Sequence, residues 1–254
     1  MSKSILPDPQ ISIITVVFNA QDILEGTILS VLNQTYPHIE YILVDGASTD
    51  NTLEIIKKYE SRIKKWISEK DKGIYDAMNK GISMAKGEYI FFLNAGDRLK
   101  DSNTLSKIFL ELEPADIYYG RVELIRADGL VLGERRLKPP ENLNWKSFRW
   151  GMLVSHQAFI PRRKLIEPYN LEYRISSDID WCIRCMKKAH SITNTHLIIS
   201  QYLVGGESRK NTLLSWKERF GIMQIHYGIL PTLWYHIIII LRFLGYYLKS
   251  GKLD

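Results

Sequence analysis

The alternation of patterns between Ile11 and Leu93 constrains this chain more than any other feature. Short runs of aliphatic and β-branched residues take turns with stretches whose apolar residues recur at helical spacing. "ISIITVVF" reads as a strand, "AQDILEGTILSVLNQ" as a helix, "YILVDGAS" as a second strand, and "STDNTLEIIKKYE" as a helix opened by the cap-type residues Ser48, Thr49 and Asp50. A short strand "IKKWIS", a helix "GIYDAMNKGISMAKG" closed by Gly87 and a fourth strand "EYIFFL" complete the series. Such alternation implies a parallel sheet covered by helices on both faces. With 254 residues and 45% hydrophobic content the chain has enough apolar material to bury strands on both sides.

Sheets of this kind bind ligands beyond the carboxyl ends of their strands. The loops there read Phe18-Asn19-Ala20, Asp45 to Asp50, Glu69 to Gly73, and Asn94-Ala95-Gly96-Asp97, and all but the first carry carboxylates. Neither G-x-x-x-x-G-K-[ST] nor G-x-G-x-x-G occurs, so the glycine-loop phosphate cradles of NTPases and dinucleotide enzymes are excluded. A phosphorylated ligand then needs another device. Mg²⁺ or Mn²⁺ held by a carboxylate and by the ligand's own phosphates is the candidate.

Beyond Asp101 the pattern loosens. A helix near Thr104 to Glu111, a strand "DIYYGRVELI" and a returning run "GLVLGERR" suggest an antiparallel addition turning at Asp128-Gly129. "LKPPENLNW" is a loop before "HQAFIPRRKLIE"; a helix from Asp178 to Lys188 and a strand "SITNTHLIIS" follow. Arg135, Arg136, Lys138, Lys146, Arg149, Arg162, Arg163 and Lys164 stand against the single acid Glu141, which suits an anionic partner or a solvated face. Cys182 and Cys185 lack a second pair or a nearby His and read as reduced packing residues. The opening "MSKSILPDPQ" has no apolar signal core, which with the reduced cysteines gives a cytoplasmic expectation. In the tail, Pro231, His236 and Arg242 interrupt "GILPTLWYHIIIILRFLGYYLKSGK", leaving too short a run for the roughly 20 apolar residues of a span. It fits either a helix lying in a membrane interface or one docked on the core.

"ISIITVVFNAQDILEGTILSVLNQTYPHIEYILVDGASTDNT", followed by "EKDKGIYDAMNKGI" and "GEYIFFLNAGD", resembles the family 2 glycosyltransferases. The likeness is close over roughly the first hundred residues and looser through about residue 206. It implies a GT-A fold: a Rossmann-like, mostly parallel central sheet with helices on both faces, an antiparallel acceptor-side extension and a C-terminal helical tail. The implied division is an arm at 1–10, a nucleotide-sugar half at 11–101, an acceptor and catalytic half at 102–206, and a tail at 207–254 that is a candidate for contact with the inner face of the cell membrane.

The resemblance also implies roles. Thr15, Val17, Asn19, Asp45 and Ser48 would hold the nucleoside, with Asp45 accepting from an imino N–H of the base, so that a UDP-sugar is the expected donor. Asp50 reads more simply as a helix cap. Asp76, Asn79 and Lys80 would approach the donor from the start of a helix, with Gly73 admitting the backbone. "LNAGD" departs from the family's D-x-D or D-x-D-D: Asn94 and Gly96 stand where acids are usual, leaving Asp97 as the one metal carboxylate and Asn94 as a neutral oxygen or a ribose contact. Asp178 would be the general base, with Asp180 the alternative, because the acceptor hydroxyl loses its proton as the glycosidic bond forms. His156 and Gln157 would line the donor-sugar or acceptor pocket, and "LVGGES" resembles a loop near the diphosphate.

The activity implied is inverting transfer of a single sugar from a nucleotide-diphosphate sugar to a glycan or lipid-linked acceptor, since neither Q-x-x-R-W nor several long apolar spans occur. Two rivals stay open: a sugar-phosphate nucleotidyltransferase, for which "VVFNAQD" lacks the glycine-rich loop, and a non-catalytic nucleotide-sugar binder. No aromatic-basic module points to nucleic acid.

Overall fold

The computed structural model describes residues 8–205 and 211–250, with side chains as far as residue 242. Strand β1 (Ile11–Val17) is buried along its whole length, as a central strand must be when both faces are covered. It pairs in parallel with β2 (Ile39–Asp45) on one side and β4 (Tyr89–Phe92) on the other, and β2 pairs with β3 (Lys65–Ser68), giving the order β3-β2-β1-β4.

Period-two alternation sorts the core. Ile11, Ile13, Val17 and Leu43 pack with Leu24, Ile28 and Val31 of α1 (Leu24–Leu32) and Ile56 of α2 (Thr52–Tyr59). Ile14, Val16, Ile42 and Val44 pack on the other face with Tyr75 and Met78 of α3 (Ile74–Met84) and Trp181 of α5 (Ser177–Lys188). The helix changes face because the connection from β3 to β4 runs back past β1, and right-handed crossovers then put it on the opposite side. The strand order reverses between β1 and β4. A crevice opens at such a switch point, and Asn19 and Asn94 follow the two strands that flank it.

A second sheet has the order β5-β9-β6-β7, with β8 also on β6. β5 (Arg98–Leu99) is an edge before α4 (Thr104–Glu111); β6 (Ile117–Ile125) and β7 (Val131–Glu134) form the expected hairpin, with Gly129 at φ 86° in its turn; β8 is Phe159–Pro161 and β9 is Ile192–Leu203. The extension differs from an all-antiparallel one in that β6 and β9 run parallel. A strand reached through a helical crossover, here α5, is free to run parallel, whereas a tight hairpin is not. The two sheets meet at a bridge from Tyr89 to Arg162, supported by Arg163 N donating to Glu88 O at 2.7 Å.

Three sequence readings change. Helix α3 ends at Met84 with Ala85 as its extended cap residue, and Gly87 serves close approach instead: its N–H donates to Ser12 Oγ at 2.9 Å, and a Cβ there would lie 2.6 Å from Ser12 N. Pro231 does not interrupt the tail, because α7 (Ile229–Ser250) starts two residues earlier and a first-turn proline removes no intrahelical hydrogen bond. The basic stretch is not one face: Arg162 pairs with Glu88 and Asp116, Lys164 with Asp116 at 3.1 Å, and Lys138 with Glu134 at 3.6 Å. Cys182 and Cys185 are buried free thiols whose pKa burial raises, to about 12 for Cys185. The N-terminal arm to residue 7, and Gly206 to Ser208 of "LVGGES", lie outside the described residues.

Candidate active site

The loops after β1 and β2 are locked to each other. Asn19 adopts φ 46°, a left-handed conformation that asparagine tolerates, and its N–H donates to Ser48 Oγ at 2.8 Å while its Oδ1 accepts from Thr49 N at 2.8 Å. Asp45 is fully buried; its Oδ2 accepts from Ser48 N at 3.0 Å and Ser68 Oγ at 2.6 Å, and its Oδ1 accepts from Ser48 Oγ. Its oxygens therefore shape the turn. Thr15 is fully buried and donates to Leu93 O at 2.7 Å, and Val17 contributes a carbonyl to Gly46 N. Asp50 takes the cap-like part, accepting from Thr52 N and Gln21 N.

What faces outward here was not singled out in the sequence. Phe18 is 62% exposed, and a Cβ on Gly46 would lie 3.4 Å from its ring and 2.5 Å from Asp71 Oδ2. An open aromatic face and a carboxylate thus overhang the same bare backbone. Phe18 directly follows β1 and Asp71 precedes Gly73, so strand-end position was the only available signal.

The start of α3 is mostly self-satisfied. Asp76 Oδ2 accepts from Lys72 N at 3.0 Å, and Lys80 reaches Glu69 at 2.9 Å and the carbonyl of Lys70 at 2.7 Å. Asn79 fastens the loop before α5, donating to Tyr169 O at 3.0 Å and accepting from Tyr169 N at 2.7 Å. Gly73 supplies φ 121° at the helix start, a backbone requirement in its own right.

Contacts between the turn after β4, the 3₁₀ turn before β8 and the start of α5 bring Asn94, Asp97, His156, Gln157 and Asp178 together. His156 lies on a short 3₁₀ turn before β8; its Nδ1 is 3.2 Å from Asp178 Oδ2, and its Nε2 is 3.3 Å from Asn94 Nδ2. Asp178, in the first turn of α5, also accepts from Ile179 N at 3.0 Å and lies 3.3 Å from the Tyr75 hydroxyl. Burial pushes its carboxyl up, but the His156 hydrogen bond and charge, with the Arg219 charge beyond, prevail and hold it below the ordinary carboxylate value. Asp178 is therefore ionised at neutral pH. Asn94 Oδ1 is shielded from solvent and has no hydrogen-bond partner, a free acceptor beside the dyad.

Asp97 stands deeper. Its Oδ1 accepts from Leu203 N at 2.9 Å and its Oδ2 from Gln157 Nε2 at 3.1 Å. Burial raises its pKa to about 7 against the pull of those donors and of His156. Gly96, at φ 96°, lets the turn pass under Leu203, whose side chain would lie 2.5 Å from a Cβ. Asp180 belongs elsewhere: it pairs with Arg184 at 2.7 Å and His226 at 2.7 Å, tying α5 to α6 (Thr212–Tyr227).

As a resident metal site these residues do not fit. Among the described residues no group of three or more His, Cys, Asp or Glu is gathered for a cation. The one carboxylate of the turn is buried and accepts from protein N–H groups through both oxygens, the opposite of an open hard-cation site.

The model of glycosyl transferase family 2 matches residues 12–169, more than half of the chain. A PGL/p-HBAD biosynthesis glycosyltransferase of Mycobacterium bovis is 33% identical over 215 residues, covering 76% of this chain and 77% of the relative. The putative teichuronic acid biosynthesis glycosyltransferase TuaG of Bacillus subtilis is 34% identical over 214 residues, covering 82% and 84%. In three dimensions the chain is similar to S. aureus TarS 1-349 in complex with UDP-GlcNAc, with TM-score 0.69 and 18% identity over 95% of this chain and 74% of that one. It is also similar to the mannosyltransferase PcManGT from Pyrobaculum calidifontis in complex with GDP-Man and Mn²⁺, with TM-score 0.62 and 16% identity over 100% and 80%. The switch-point crevice, the family match and these relatives agree that the chain belongs to glycosyl transferase family 2 and is a glycosyltransferase of GT-A fold.

Proposed function

We propose that the protein moves a single sugar, with inversion, from a nucleotide-diphosphate sugar to a hydroxyl of a glycan or lipid-linked acceptor in the building of a polysaccharide or glycolipid. The observation that carries this reading is the contact of 3.2 Å between His156 Nδ1 and Asp178 Oδ2, which helps hold the Asp178 carboxyl below its ordinary value. A carboxylate kept charged in a shielded site can take the proton that an acceptor hydroxyl loses. The acceptor oxygen forms its bond to the anomeric carbon through an oxocarbenium-like state, the bond from that carbon to the diphosphate oxygen breaks with its electron pair going to the phosphate, and the proton passes to Asp178.

The relatives' names support the pathway class, and TarS and PcManGT in complex with nucleotide sugars support the donor class. Phe18 and Asp71 suit the base, one by stacking and the other by accepting an N–H; Asn19, Asp45 and Ser48 hold that loop in shape. Asn94 Oδ1 suits a ribose or sugar hydroxyl, and Gln157 orders the turn below it. Residues 11–101 then form the donor half and 102–206 the acceptor half.

Peripheral membrane contact belongs to the same reading. On α7, Leu230, Leu233, Trp234, Ile237 and Leu241 are exposed at the spacing of one helix face. Arg149 lies 5.2 Å over the Tyr235 ring, and Trp150 packs edge-on to Tyr235 at 4.8 Å, so part of the basic stretch flanks this helix. Among the described residues no helix is long and apolar enough to cross a membrane.

A thermal-shift panel of nucleotide sugars with and without Mn²⁺ tests the donor assignment. A donor that binds only the folded state raises the melting temperature by an amount that grows with the logarithm of its concentration over Kd. The expected result is a shift with one base and its diphosphate sugar; no shift with any would remove the reading.

A further inference from the structure

Two arginines whose charges act in the region of Asp178 each carry one shielded N–H donor without a hydrogen-bond partner. Arg135 follows β7, with its N–H bonded to Val122 O at 3.2 Å, and its Nη1 is shielded from solvent with no hydrogen-bond partner. Arg219 lies in the second turn of α6, and its Nε is likewise shielded and unpartnered. Its neighbour Glu218 fixes the place: the carboxylate accepts from Arg174 N at 2.8 Å, Ile175 N at 3.0 Å and Ser176 N at 2.9 Å, the residues leading into α5. Helix α6 is thereby pinned beside the first turn that carries Asp178. β7 comes to the same region through β6, which pairs with β9 up to Leu203, the residue bonded to Asp97.

The charges feel one another. Burial and the Arg219 charge press on the Arg135 guanidinium, which stays protonated nonetheless, and Asp178 acts on Arg135 in return. Asp178 is already matched by His156. Two half-buried like charges, each with one shielded N–H donor unused, suit an anion that brings its own acceptor oxygens.

We propose that Arg135 and Arg219 form the cation pair that binds the donor's diphosphate, in place of the additional acids and metal that the Asn94-Ala95-Gly96-Asp97 turn, with its single hydrogen-bonded carboxylate, does not supply. The assignment rests on the glycosyltransferase reading and names the group that holds the leaving diphosphate. As the anomeric carbon–oxygen bond breaks and its electron pair moves onto the phosphate oxygen, two fixed guanidinium forks meet the added charge without reorganising.

Calorimetric binding of UDP, GDP and uridine in EDTA tests it, on the full chain and on Arg135→Gln and Arg219→Gln. The expected result is diphosphate binding without metal, weakened about 10- to 100-fold by either substitution, with uridine affinity unchanged. Should a Gln variant melt early, Arg135→Lys and Arg219→Lys carry the same test, because they keep the charge but lose the planar fork; a severalfold loss is expected. UDP or GDP binding within twofold of the parent in the variants overturns the cation pair and leaves the donor reading standing. If neither diphosphate binds the parent, with or without Mn²⁺, the donor reading itself fails and the pair fails with it.

Discussion

His156 does more for this site than its position on a short turn suggests. Burial alone would raise the Asp178 carboxyl, and the imidazole reverses the sign. Replacing it by Gln removes the charge and leaves burial to dominate, so the Asp178 pKa rises. The acid limb of the kcat/KM profile, where the base must lose its proton to work, then moves to higher pH in His156→Gln. A limb that stays in place would show that the dyad does not set the base. The motif made Asp178 and His156 visible as candidates in the sequence, but not their contact, which joins residues 22 positions apart. Thr15, Asp45 and Asn79 teach the converse: each matches a ligand-binding pattern, yet its polar atoms are used on the protein itself. Phe18, Asp71, Arg135 and Arg219 stayed hidden because each matters through neighbours from distant segments.

Elements with strong periodicity were legible, and short ones were not. β1, β2, β4 and α3 announce themselves by apolar spacing, whereas β5 has two residues and β8 three, too few for any period to register. The parallel pairing of β6 with β9 is set by the crossover through α5, a matter of topology that local pattern does not contain. Helix α7 carries a further prediction. Leu230→Glu combined with Trp234→Glu places two charges on its exposed apolar face, where neither side chain supports the core. Flotation with anionic vesicles should fall by at least about tenfold, given roughly 1.5–3 kcal/mol for each large apolar side chain buried, while the melting temperature holds. Unchanged flotation would remove membrane contact from the account.

On the scale of the molecule, the two sheets contribute different residues to the candidate site. The parallel half builds a switch-point crevice with a rigid double loop at one end, formed by Asn19, Asp45 and Ser48. The mixed half brings His156, Gln157 and Asp178 across the crevice, with Asp97 bonded to both Gln157 and Leu203 so that the turn after β4 is held by the opposite sheet. That linkage explains why Asp97 is buried although it stands at a binding edge. The most direct measurement is donor turnover by Asp178→Asn beside donor binding by the same variant. Asparagine keeps the shape but cannot take a proton, so kcat should fall by about 10²- to 10⁴-fold with nucleotide-sugar affinity within severalfold of the parent. Turnover near the parental rate would contradict the account, because another group would then have to be the base.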